Sequence, residues 1–155
     1  FEEWGKVFSA QKKIGFVNLR IHQMYGSGDD SSKFTTWIFE SLKKNHPHIE
    51  LTPGEQKRDF VFIDDVVSSF VHILDTQKIE NEYLDYDIGS GKEISIREFV
   101  EKVKEISGAK TKLIFGAKPY QNFELMQARA DIGPMKNTGW APATSLETGI
   151  QKSLY

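Results

Sequence analysis

"QKRDFVFIDDVVSSF", residues 56–70, places an arginine and an aspartate ahead of an aromatic and β-branched run, then two more aspartates where an apolar helical pattern begins. The run ending at Ile63 reads as a short strand. Asp64 or Asp65 is then placed to cap a helix in which Val66, Val67, Phe70, Val71 and Leu74 share one face. A strand that feeds directly into a helix is the repeating unit of an α/β chain, and the flanking segments repeat it.

Upstream, "HIELTPGEQKRDFVFI" gives a first short strand, a Pro-Gly turn and the strand just described. Before it, Ser31 or Ser32 is positioned to cap a helix over about residues 33–44, with Phe34, Trp37, Ile38 and Leu42 on one face, and His46-Pro47 ends that helix. "FVNLRI" (16–21) reads as a strand buried on both sides, followed by a glycine-containing loop, "HQMYGSGDDSS". Downstream, "EYLDYDIGSGKEISIREF" reads as a strand, a Gly-Ser-Gly turn and a helix opened by the capping box Ser95/Glu98 and closed by Gly108. "TKLIF" (111–115) is a further strand, and Thr144 with Glu147 forms a second capping box for a last helix. The class is α/β, without an internal repeat.

The chain has 155 residues, 39% hydrophobic and 12% aromatic, enough for one packed domain. Twenty basic and 22 acidic residues leave a net charge of -2 with no basic stripe, which argues against a nucleic-acid or membrane-surface partner. Cysteine is absent and no apolar stretch is long enough to span a bilayer, so a cytoplasmic setting is the default expectation. "FEEWGKVFSAQKK" begins without methionine, and Phe1, Trp4, Val7 and Phe8 form an apolar helical face from the first turn. That is the pattern of a helix cut open, and a preceding segment is expected to cover the face.

Three features carry chemistry. The glycines of the loop after "FVNLRI" suit either close backbone approach to a ligand or an ordinary exposed turn, and Gln23 there can donate to an oxyanion. Lys33 begins a helix, where a cation opposes the macrodipole unless an anion is also present. Arg58 has a fork of donors suited to a diphosphate, or equally to an ion pair with Asp59, Asp64 or Asp65. The four histidines lack metal-ligand spacing, so no metal is expected, and no Ser/His/Asp arrangement suggests a nucleophile. Phe34, Trp37, Phe39, Phe60, Phe62 and Phe70 read as core, since no basic residues interleave with them.

Taken together, "LRIHQMYGSGDD", "TPGEQKRDFVFIDDVVSSFVHIL", "YDIGSGKEISIREFVEKV" and "NTGWAPATSLETGI" occur in the order seen in the extended short-chain dehydrogenase/reductases of the NAD-dependent epimerase/dehydratase family, and the chain resembles their C-terminal portion. "NLRIHQMYGSGDDSSKF" and "GEQKRDFVFIDDVV" are most similar to reductases of a CDP-linked 4-keto-3,6-dideoxyhexose. The resemblance implies a Rossmann-type enzyme whose dinucleotide-binding half lies upstream. Residues 1–31 would be the tail of that domain, and residues 32–155 mainly the nucleotide-sugar domain, with some segments returning to the main sheet. The family's GxxGxxG loop and YxxxK pair do not occur here, so the resemblance assigns no catalytic residue to this chain, which is expected to be inactive alone.

Residue by residue, the resemblance places Ile21 and His22 beside the nicotinamide of NAD or NADP. Gln23 and Arg58 fall at diphosphate contacts, Lys33 near phosphate, and Leu51 by the nucleobase. Gln121 stands where many members carry a second phosphate-binding arginine, a departure for which Lys118 or Arg129 could substitute. Asp59 and Asp64 look structural. The expected partner is a nucleotide-diphosphate sugar, and the full-length protein is expected to be a homodimer. The activity implied is NADPH-dependent 4-ketoreduction, with epimerisation or dehydration of a UDP- or dTDP-hexose as the alternative. A non-catalytic binding or interaction domain is a further alternative, opposed by the open apolar face of residues 1–8.

Overall fold

The computed structural model describes all residues except 13, 77, 78 and 81. The elements in chain order are α1 (Glu2–Ala10), β1 (Phe16–Ile21), β2 (Gln23–Tyr25), α2 (Phe34–Lys43), β3 (His48–Leu51), β4 (Lys57–Phe62), α3 (Ile63–Thr76), β5 (Tyr83–Ile88), β6 (Glu93–Ser95), α4 (Ile96–Ser107), β7 (Lys112–Phe115), β8 (Gln127–Ala128), α5 (Gly133–Asn137) and α6 (Leu146–Leu154). The alternation expected of an α/β chain is present.

Strand β4 is the hub. Its second half pairs in parallel with β2 (Gln23 opposite Phe60), and its first half pairs antiparallel with β6 and parallel with β8. Two further parallel pairs, β1 with β5 and β3 with β7, complete the strand pairing. One core gathers Tyr25, Phe39, Phe60, Phe62 and Phe99 with the aliphatic faces of α2, α4 and α6. Within it the rings of Phe60 and Phe99 stack at 4.0 Å, and Tyr25 meets Phe62 edge-on. A second core joins Val61 and Ile88 to Val66 and Ile73 of α3 and to Met135 and Trp140. Phe60 and Phe62 thus face one core and Val61 the other, as the twofold alternation of a strand requires.

Polar fasteners fix these layers. Asp59 is only 1% exposed. Its carboxylate accepts from the Ser90 N–H and hydroxyl and from the N–H groups of Gly91 and Ala130, at 2.6–3.1 Å. A side chain at position 89 would collide with the Ala130 methyl and with Asp59 itself, which is why the turn between β5 and β6 begins with glycine. Helix α4 starts on the expected capping box, with Ser95 and Glu98 bonded reciprocally, and ends on Gly108 at φ +66°.

Several expectations are corrected. Asp64 and Asp65 lie inside the first turn of α3 rather than capping it. Asp65 is buried and instead accepts from the N–H groups of Ala143 and Thr144, tying α3 to the segment before α6. The buried stripe of α3 is Asp65, Val66, Ser69 and Ile73, whereas Val67, Phe70, Val71 and Leu74 are exposed. Ser69 is fully buried, so a different face points inward. Strand β1 is half-buried to exposed, and β5 is its only strand neighbour among the described residues. Residues 23–25, expected in a loop, form β2, and Tyr25 is fully core. Helix α2 begins at Phe34 with Lys33, not a serine, at the N-cap, and α6 is capped by Ser145 rather than by Thr144. The aromatic face of α1 does form, with Trp4 and Phe8 stacked at 5.9 Å and Phe1 and Trp4 well exposed. The helix packs inward through Gly5 and Ser9.

Two predictions follow from the fasteners. Asp59→Ala strips the acceptor from four donors and is expected to lower unfolding free energy by about 3 kcal/mol or more, read from urea denaturation. At Glu98, hydrogen bonds from the Ser95 N–H and hydroxyl hold the carboxyl below its ordinary value of 4.5. Because the folded-state value is depressed, the contribution is present above pH 4.5 and is lost as pH falls through the folded value. Glu98→Gln should therefore have a lower urea midpoint than the native chain at neutral pH, and the two should converge in acid.

Candidate functional site

A cleft of about 390 Å³ opens where β2, α2, β3, β4 and the segment after β7 meet. Its apolar lining comes from Phe34 and Trp37 of α2, Leu51 at the end of β3, and Ile96 at the start of α4. Its polar lining comes from Gln23, Thr52, Gln56 and Arg58, with Glu50, Lys118, Gln121 and Glu124 completing it.

Local structure explains the placement. Arg58 and Asp59 are neighbours in β4, so their side chains leave opposite faces of the strand. With Asp59 locked inside, Arg58 is directed to the cleft. Leu51 arrives on the alternation of β3, where Ile49 and Leu51 are buried and His48 and Glu50 exposed. Gln23 is brought opposite Phe60 by the β2–β4 register.

Arg58 is engaged through both terminal nitrogens. Nη2 donates to Glu124 Oε1 at 2.7 Å, and Nη1 donates to the carbonyls of Lys57 and Leu125 at 2.8 and 2.6 Å. The side chains of Arg58 and Glu124 are 17% and 21% exposed, so this single charge-assisted bond between them is partly desolvated. An ion pair was one of the two readings of Arg58, but its partner is Glu124, sixty-six positions away, and not one of the nearby aspartates. The ammonium of Lys118 stands 5.8 Å from the Trp37 ring centroid. Chemically, the cleft offers one guanidinium and one ammonium for an anion beside aromatic and aliphatic walls for a flat apolar group.

Of the residues singled out from the sequence, Gln23, Leu51, Arg58 and Gln121 converge on this cleft, as does Lys118. Lys33 does not: its ammonium pairs with Asp29 at 2.9 Å, and that contact holds the Asp29 carboxyl below its usual range. Arg129 donates from Nε to the Gly91 carbonyl instead. Ile21 and His22 lie apart, at the carboxyl end of β1. Ile21 is 40% exposed, and His22 Nε2 is 3.6 Å from Asp87 Oδ2. Sequence reasoning missed Gln56 and Glu124. The twofold spacing of Gln56 from Arg58 was a usable signal, whereas nothing local marks Glu124. No group of acidic or histidine side chains suited to a metal occurs among the described residues, and no helix among them is long and apolar enough to cross a membrane.

Comparison with known proteins bears on the family and the fold. Residues 1–89 match the sequence profile of the NAD dependent epimerase/dehydratase family. CDP-abequose synthase of Salmonella typhimurium is 33% identical over 156 residues, which cover 99% of this chain and 52% of that protein. The dTDP-L-rhamnose 4-epimerase of Burkholderia thailandensis is 32% identical over 151 residues, 94% of this chain and 40% of that protein. The chain thus spans about half the length of these relatives. In fold it is similar to the UDP-glucose 4-epimerase of Thermotoga maritima solved with UDP-glucose, with a TM-score of 0.87 at 23% identity, covering 99% of this chain and 49% of that one.

Proposed function

Because the chain belongs to the NAD dependent epimerase/dehydratase family, we propose that its cleft binds the nucleoside diphosphate of a nucleotide-linked hexose in a protein that moves hydride at the sugar. The observation that carries this is the convergence of Arg58, Gln23, Gln121 and Lys118 with Leu51, Phe34 and Trp37 in one cleft. An arginine fork suits a diphosphate, and an apolar wall suits a base. Of the possible reactions, NADPH-dependent reduction of a CDP-4-keto-dideoxyhexose is our first reading, supported by the likeness to CDP-abequose synthase along 99% of the chain. Epimerisation or dehydration of a UDP- or dTDP-hexose is the second, supported by the likeness to dTDP-L-rhamnose 4-epimerase.

In this reading the residues of the chain bind and orient, and they do not transfer protons. Arg58 and Lys118 neutralise the diphosphate, remote from the reacting carbon, so that binding energy fixes the sugar's position. Ile21 and His22 sit at the carboxyl end of a parallel strand, beyond which ligands of such sheets usually lie, and an exposed isoleucine there fits the face of a nicotinamide. The nicotinamide cofactor, when bound, supplies or accepts the hydride.

Glu124 has a defined consequence in this scheme. Its carboxylate takes the Nη2 donor of Arg58, so a diphosphate that needs this donor must displace it. Calorimetric titration of the chain with CDP is expected to show weak binding. Arg58→Ala should weaken it about tenfold to a hundredfold, the worth of charge-assisted hydrogen bonds. Undiminished affinity would return Arg58 to a purely structural pair. Glu124→Gln should tighten CDP by about two- to fivefold by freeing the fork. Weaker binding in that variant would instead make Glu124 a ligand contact.

A further inference from the structure

Gln56 is 7% exposed and lines the cleft, yet its carboxamide is poorly satisfied. Nε2 donates to Thr52 Oγ1 at a long 3.3 Å, and Oε1 is screened from solvent with no hydrogen-bond partner. Leaving a buried amide oxygen unpaired is unfavourable, and native proteins hold few such groups. Gln56 immediately precedes β4, and both it and Arg58 line the cleft.

The segment 120–126 lies along residues 55–58 and is held there by polar contacts. The Glu55 N–H donates to the Tyr120 hydroxyl, the Lys57 N–H donates to the Met126 carbonyl, and Arg58 donates to Glu124 and Leu125. Apolar burial contributes little to its hold. Phe123, at φ +64°, is fully exposed, and Leu125 is 62% exposed. A ligand diphosphate that takes Arg58 from Glu124 and Leu125 removes two of the contacts that hold this strap beside residues 55–58.

We propose that Gln56 is a nucleoside-contacting residue: when a diphosphate displaces the strap from Arg58, the unpaired Gln56 oxygen accepts a hydrogen bond from a donor on the nucleoside. The donor is a base N–H or a ribose hydroxyl, because an acceptor must meet a donor. The inference rests on the cleft being a nucleotide site. It adds a residue that selects for the nucleoside, where Arg58 selects for phosphate.

The test compares the native chain with Gln56→Met, which keeps the length of the side chain and removes the unpaired oxygen. CDP, UDP, 2′-deoxy-CDP and inorganic pyrophosphate are titrated by calorimetry, and Tm is recorded for each chain. Expected is a loss of CDP affinity of about three- to tenfold with unchanged pyrophosphate affinity and an unchanged or raised Tm. A loss absent with 2′-deoxy-CDP assigns the donor to the ribose, and a loss differing between CDP and UDP assigns it to the base. A lowered Tm with full CDP affinity makes Gln56 a structural residue and overturns the proposal. In the native chain, the side-chain amide resonances of Gln56 should shift on adding CDP and stay put with pyrophosphate, a readout independent of how the variant folds. Silence of those resonances at saturating CDP also overturns it. If Arg58→Ala weakens CDP and Gln56→Met does not, this inference alone falls. If native protein binds neither CDP nor pyrophosphate, the cleft reading falls with it.

Discussion

One buried carboxylate organises this molecule. Asp59 gathers four donors from the β5–β6 turn and from Ala130, so strands distant in sequence are fastened to the middle of β4. A carboxylate taken out of water is tolerated only when its lone pairs are met, and here backbone N–H groups meet three of the four contacts. The constraint is geometric as well as energetic. Because strand side chains alternate, anchoring Asp59 inward commits Arg58 to the cleft and Phe60 to the aromatic core.

The cleft inherits its shape from that commitment. Around Arg58 the chain assembles contributions from β2, α2, the β3 end, the start of α4 and the strap 120–126, none of which forms a site alone. The capped start of α4 brings Ile96 to the cleft, where its N–H donates to the Gln56 carbonyl at 2.9 Å. The same region thus combines a rigid scaffold with a strap held mostly by polar contacts. Stable elements position the polar groups of the cleft, and the Glu124 carboxylate pairs with its arginine.

Local rules succeeded where the interaction they describe is itself local. Ser95, Glu98 and Gly108 bracket α4 as read from the sequence, since a capping box and an αL terminus involve residues three or four apart. They failed where a tertiary partner competed for the same group. Asp65 had the chemistry of a cap but accepts from Ala143 and Thr144 instead. The apolar spacing of α3 selected Val66, Val67, Phe70, Val71 and Leu74, of which the structure buries only Val66, together with Ser69 and Ile73, because a broad apolar stripe does not say which edge meets the sheet. Gln23 was legible as a polar residue after a strand, but not as a member of β2, whose parallel partner lies thirty-seven residues on.

What the sequence determined by itself was the α/β alternation, the ends of α4, the set of polar residues able to meet an anion, and the motif order that marks the family. These depend on periodicity, on short-range hydrogen bonding and on residue chemistry, all present along the chain. Only the tertiary structure decided that Gln23, Leu51, Arg58 and Gln121 share a cleft while Lys33 turns to Asp29, and that Glu124 pairs with Arg58. Those outcomes are fixed by strand register and by which partner reaches a charge first, and neither is encoded within a few residues of the groups concerned.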